Sequence, residues 1–233
     1  MADLSGKVAL IVGAGSGLSA SIARSFAGAG MKIALAARST DDLAPIVADS
    51  GAKAFTCDAS KSQDVKQLFS DVTGSLGEPH VVVYNASYRT RGPFVELDPS
   101  EVEKSLAVTA FGGFLVAHEA AKLMLPKRSG AILFTGASAS VKGYAQSAPF
   151  AMGKFALRGL AQSMARELSP QGIHVAHVVV DGGIRSARRP EVPDRPDATL
   201  DPDAIAASYL FLVNQPRSAW TWEIEVRPWV ERF

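Results

Sequence analysis

The chain has 233 residues, 47% of them hydrophobic, which suits one α/β domain with a large core. Its 24 basic and 23 acidic residues leave a formal net charge of +1, so no long-range field draws nucleic acid or an anionic membrane, and the expected partners are small molecules and other subunits. The single cysteine, Cys57, excludes an intrachain disulfide. The first apolar run, Val8 to Val12, is too short for a bilayer span or a secretory signal, so the expected location is the cytoplasm.

Strand and helix patterns alternate along the chain. Lys7 to Val12 reads as a strand running into Gly13, Gly15 and Gly17, and a helix follows through Ser19 to Ala27 until Gly28 and Gly30 end it. Met31 to Ala37 is a strand apolar on both faces. Asp41 to Ala48 is a short helix, Lys53 to Cys57 a strand, and Ser60 the expected cap of a helix to about Val72. Pro79 to Tyr84 is a dense apolar strand, and Pro99 to about Met124 a long helix stopped by Pro126. Ala131 to Thr135, Ile173 to Val180 and Trp220 to Val226 are further strands; Phe150 to Leu168 and Pro202 to Val213 are further helices. The expected fold is a single doubly wound α/β domain, residues 1–233, with a mostly parallel seven-stranded sheet between helices. Residues 187–200, with three prolines, read as a lid loop on the substrate side.

The glycine cluster follows a strand and opens a helix, the context in which such glycines hold a dinucleotide's pyrophosphate at the helix N-terminus. Gly13, Gly15, Ser16, Gly17 and Leu18 are the candidate contacts, although a turn of purely structural use has the same composition. No acid stands at the end of the second strand, where an NAD site places one for the ribose hydroxyls. Arg38 and Ser39 stand there instead and suit the 2′-phosphate of NADP, so NADP(H) is expected over NAD(H), with Asp41 and Asp42 counting against it.

Over essentially its whole length the chain resembles the short-chain dehydrogenase/reductase family, whose fold is a Rossmann-like domain. The family opens on Thr-Gly-x-x-x-Gly-x-Gly, and this chain carries Val12-Gly13-Ala14-Gly15-Ser16-Gly17-Leu18-Ser19. The resemblance implies that Asp58, flanked by Cys57 and Ala59, holds the adenine. It implies that Asn85-Ala86-Ser87 borders the cofactor, and that Asp181, Gly182, Gly183, Ile184 and Ser186 surround the nicotinamide carboxamide. The family's proline in that last run is here Asp181.

The resemblance also implies a catalytic set, and there the chain departs from it. The family uses Tyr-x-x-x-Lys on a helix, with a serine about a dozen residues earlier and an asparagine in the preceding long helix. The corresponding residues here are Phe150, Lys154, Ser138 and Thr109. A phenyl ring cannot give or take a proton. Tyr144 is the candidate replacement acid, Tyr88 and Arg89 can line the pocket, and Lys154 is expected to hold the ribose.

The leading expectation is thus an NADP(H)-dependent oxidoreductase acting on a small carbonyl or alcohol through an atypical site. A dinucleotide-binding sensor, a non-catalytic partner subunit, and a lyase or isomerase stay open. Arg185, Arg188 and Arg189 can meet an anionic substrate or lie in a solvated loop, while Arg158 and Arg166 are expected to face solvent or a subunit partner. His118 and Glu119 lack a second histidine, and four histidines with one cysteine offer no metal-ligand set. By resemblance, helices 99–125 and 149–169 join a homodimer or homotetramer. Gly112, Gly113, Ala117, Ala156 and Gly159 would permit close contact there, or would pack against the chain's own sheet.

Overall fold

A computed structural model describes residues 3–231. Seven strands form one all-parallel sheet: β1 (Val8–Val12), β2 (Lys32–Ala37), β3 (Lys53–Thr56), β4 (Pro79–Tyr84), β5 (Gly130–Thr135), β6 (Ile173–Val180) and β7 (Glu223–Val226). Their order is β3-β2-β1-β4-β5-β6-β7. The helices are α1 (Leu18–Gly28), α2 (Ala44–Ser50), α3 (Ser62–Leu76), α4 (Pro99–Leu106), α5 (Gly112–Met124), α6 (Ala148–Leu168) and α7 (Pro202–Asn214).

Period-two alternation sends neighbouring strand residues to two separate cores. Ala9 and Ile11 of β1 join Ile22, Phe26, Ile205 and Tyr209 on the face covered by α1 and α7. Val8, Leu10 and Val12 join Val65, Leu68, Val116 and Leu157 on the face covered by α3, α5 and α6. Both faces are thereby dry, which is why these strands read as continuous apolar runs.

Four expectations change. The long helix is not one α-helix: Ala107–Phe111 is a stretch of π-helix between α4 and α5. Ser60 does not cap α3, which begins at Ser62 after Lys61, because the Ser60 hydroxyl donates to Asp58 Oδ1 at 2.7 Å. The last strand starts at Glu223, not Trp220. There the Gln215 side chain accepts from Thr221 N at 2.9 Å, and the Trp220 ring stacks on His174 at 4.8 Å. Arg158 does not simply face solvent: its side chain, 32% exposed, forks onto Glu223 of the same chain through two bonds of 2.6 and 2.7 Å.

The stretch Pro99–Lys127 is long and apolar enough to cross a bilayer by length and composition, yet half of its most apolar window is covered by the domain. A Cβ on Gly113 would reach Leu157 at 2.5 Å, so that glycine serves packing within the chain, as does buried Ala117. Gly159 meets nothing within 4 Å, and Phe111, Phe114 and Phe155 are exposed.

Candidate active site

The strand order reverses between β1 and β4, and a cleft of about 600 Å³ opens at their C-terminal ends. It brings together Gly13, Arg38, Ser39, Cys57, Asp58, Ala59, Asn85, Ala86 and Ser87, nine residues singled out from the sequence. Val12, Ala14, Ala37 and Val108 complete the lining with Tyr88; the first three sit at or just past strand ends, which is the signal that identifies them.

The glycines divide by role. Gly13 adopts φ +88°, and a Cβ there would run into the Ala86 backbone. A Cβ on Gly15 or Gly17 would meet nothing within 4 Å, so those residues leave room beside the start of α1, where no side chain caps the backbone. This open, uncapped N-terminus fits a dinucleotide's pyrophosphate. Ser19, at the place of the motif's last glycine, donates to Gly13 O at 3.0 Å and accepts from Asn85 Nδ2 at 2.7 Å. The substitution therefore staples the glycine loop to the end of β4.

Burial works against the charge of Asp58, but bonds from Ser60 and the Lys61 and Arg38 charges hold its carboxyl below the usual range. Burial, aided by Asp64 and Asp58, pushes the Cys57 thiol up to about 12, so it is no nucleophile. Ser39 exchanges bonds of 2.9 and 3.2 Å with Asp41, and Arg38 is exposed.

On the β5 side, α6 sets Phe150 and Lys154 one turn apart, both buried at 6% and 3% exposure. Lys154 Nζ donates to Thr135 O at 2.7 Å. Burial, with the Arg89 charge, lowers its pKa to about 7. Two basic side chains approach the Phe150 ring, with Arg89 Cζ 4.0 Å and Lys154 Nζ 5.8 Å from its centroid. Ser138 opens the short turn after β5.

Thr109 sits within the π-helix, accepting from Tyr88 N at 3.2 Å, and Tyr84 OH donates to Val108 O. A π-turn of this kind commonly marks a functional site. Tyr88 OH turns away to Glu101 and accepts from Lys104 Nζ at 3.2 Å. Tyr144 is 46% exposed, and its hydroxyl interacts with Lys142. Asp181 is buried and lies 3.4 Å from Lys142 Nζ and 3.6 Å from Arg227, while Ile184 bridges to Leu200 across the base of the 187–200 loop.

Beneath the Ser138 turn runs a polar chain that single positions in the sequence do not reveal. Ser140 Oγ lies 3.3 Å from His177 Nε2, His177 Nδ1 lies 3.0 Å from Glu223, and Arg158 forks onto that carboxylate. The order serine–histidine–carboxylate suggests a hydrolase, but Ser140 and His177 have no exposed surface and no substrate can reach them. The chain instead locks the turn, since Ser140 Oγ also accepts from Ala137 N at 3.1 Å.

Burial, with Lys154 and Arg158 nearby, lowers the His177 pKa from 6.5 to about 4 against the opposing pull of Glu223. The unfolded chain binds more protons between those values. Stability is therefore full above pH 6.5 and falls as pH drops towards 4, by roughly 3 kcal/mol for this group. His80, pushed down to about 4 by burial with Lys7 and Lys127, titrates in the same window. His177→Gln is expected to reduce the acid slope of unfolding free energy by about one proton; an unchanged slope would show that His177 does not carry it.

The sequence profile of the short chain dehydrogenase family matches residues 7–195, and the chain belongs to that family. It is 30% identical over 226 residues to the (21S)-21-acetoxyl-apo-melianone synthase SDR of Melia azedarach, covering 90% of this chain and 83% of the relative. Among solved structures it superposes on a short-chain dehydrogenase from Rhodopseudomonas palustris with a TM-score of 0.84 at 34% identity, covering 96% and 99% of the two chains. It superposes on a metagenomic short-chain oxidoreductase in complex with NADP with a TM-score of 0.85 at 28% identity, covering 97% and 99%.

Proposed function

We propose that the chain is an NADP(H)-dependent oxidoreductase for a small carbonyl or alcohol, with Phe150 at the place of the tyrosine in the family's Tyr-x-x-x-Lys motif. The observation that carries this reading is the continuity of the site. An open glycine loop, the Asp58 pocket and the buried Lys154 lie along the C-terminal edge of one sheet, at the point where the strand order reverses. The similar NADP complex supports the choice of cofactor, and Arg38 at the mouth of the cleft supplies the charge a 2′-phosphate needs. When bound, the cofactor supplies or accepts the hydride.

This chain's residues do the rest. Gly13, Gly15, Ser16, Gly17 and Leu18 bind the pyrophosphate, Cys57, Asp58 and Ala59 the adenine, and Asn85, Ala86 and Ser87 the ribose side. Asp181, Gly182, Gly183, Ile184 and Ser186 frame the nicotinamide, and residues 187–200 close over the substrate as a lid. Ser138 positions the substrate oxygen. Lys154 holds the ribose, and with its pKa near 7 its ammonium suits proton delivery to that oxygen. Tyr144, exposed beside Lys142, is the secondary acid. Thr109 keeps the loop after β4 in place through Tyr88 N. Exposed Phe111, Phe114 and Phe155 on and beside α5 and α6 suit a homo-oligomer contact.

Titration is expected to show tighter binding of NADPH than NADH. Arg38→Ala should remove at least tenfold of that preference, in line with about 1.5–3 kcal/mol for a bond to a charged group. Equal affinities before and after the substitution would remove the NADP assignment. Phe150 favours one second reading, a dinucleotide sensor or partner subunit without turnover, which would bind NADPH yet reduce no carbonyl in a substrate panel.

A further inference from the structure

We propose that the substrate carries an anionic group, carboxylate or phosphate, and that Arg89 and Arg189 bind it; this rests on the oxidoreductase reading of the site. Of the three loop arginines noted in the sequence, Arg185 is already neutralised by Glu191 at 3.0 Å and by Asp201. Arg189 is held differently. Ser186 and Arg189 exchange two backbone hydrogen bonds of 2.9 and 3.0 Å, closing a tight turn. The Arg189 side chain then lies against Gly183, where a Cβ would come within 2.6 Å of its Nη1 and 2.9 Å of its Cδ. The absence of a side chain at Gly183 is what seats this guanidinium at the end of β6.

Arg89 comes from the other side, off the end of β4, and lies over the Phe150 ring. A guanidinium on an aromatic face keeps the N–H donors at its edge available for a planar anion. Arg91 and Arg189 both work against the charge of Arg89, after burial, so Arg89 lies within the field of each. Buried Lys154 adds a second basic group beside the same ring.

Among the described residues, no ion pair involves Arg89, Arg91 or Arg189. Uncompensated like charges repel, and a ligand anion removes that cost. The cofactor's phosphates are not that ligand, because their glycine loop and Arg38 line the cleft at β1 and β2, whereas this cluster gathers around Phe150 and Gly183.

Calorimetry with succinate and with methyl phosphate, each with and without saturating NADP+, tests the site and separates the two anion types. At least one anion should bind the NADP+-loaded protein, and Arg89→Leu and Arg189→Leu should each weaken it tenfold or more. Arg166→Leu, which removes the same charge from the exposed far end of α6, should leave that affinity unchanged. No binding in any condition, displacement of both anions by NADP+, or equal weakening by Arg166→Leu would overturn the proposal.

A turnover arm compares 4-oxobutanoate with butanal, which match in chain length and differ in charge. At least tenfold higher kcat/KM for the anion is expected. Equal kcat/KM values would overturn the anion site while leaving the oxidoreductase reading standing. Arginine-dependent anion binding without turnover of either compound would keep the anion site and remove the redox reading.

Discussion

Gly13→Val is expected to lower unfolding free energy by about 4 kcal/mol, from the sum of two costs. A non-glycine residue held at φ +88° bears roughly 1–2 kcal/mol of backbone strain. Overpacking adds roughly 1–3 kcal/mol, because the new Cβ would sit 2.5 Å from Ala86 Cα and 2.8 Å from its Cβ. Ala86 cannot easily move aside. Asn85 N is bonded to Val12 O at 2.8 Å, Gly13 N to Ala36 O at 2.9 Å, and Ser19 clamps Gly13 O. Against a total stability of about 5–15 kcal/mol this is a large fraction. Gly15→Ala is the control: with nothing within 4 Å of the new methyl, it should fold normally and lose affinity for the cofactor instead. Urea midpoints check the first claim and cofactor titration the second. A Gly13→Val protein with an unshifted midpoint would refute the close approach of the two loops.

Phe150→Tyr is expected to raise carbonyl reduction by about 10²- to 10⁴-fold, the usual worth of a positioned general acid. The surroundings already suit a phenol. Arg89 lies over the ring and Lys154 Nζ is 5.8 Å from its centre, and nearby cations favour the phenolate and lower its pKa. The rate should then depend on pH with the tyrosine's own titration. An unchanged rate in a variant that still binds NADPH would show that proton transfer at this position does not limit the reaction.

Much of the fold was legible because its strands are buried on both faces. Pro79–Tyr84 and Ile173–Val180 are apolar but for three histidines and end at Asn85 and Asp181, so their bounds could be read to the residue. The π-helix at Ala107–Phe111 could not, since one extra residue in a turn leaves the apolar spacing nearly unaltered. Trp220 has strand-like chemistry, yet its stacking on His174 and the Gln215–Thr221 bond keep it out of the sheet.

The cleft was legible because its residues sit at strand ends in consecutive motifs. The Ser140–His177–Glu223–Arg158 chain was not: its members come from four separate elements, and each alone reads as an ordinary polar residue. Arg189 was visible only as one of several loop arginines. Its seat on Gly183 depends on a backbone turn that composition does not encode.

The polar chain under Ser138 also bears on how the protein emerges from the ribosome. Ser140 and His177 are 37 residues apart, and Glu223 follows His177 by another 46. At about 5–20 residues per second, roughly 2–9 s of translation separate the synthesis of the histidine from that of its carboxylate. Through that interval the Ser138 turn lacks its final anchor, even where β1 to β6 have already paired. A nascent chain stalled before Glu223 would thus present a largely assembled sheet with an unlocked turn at Ser138.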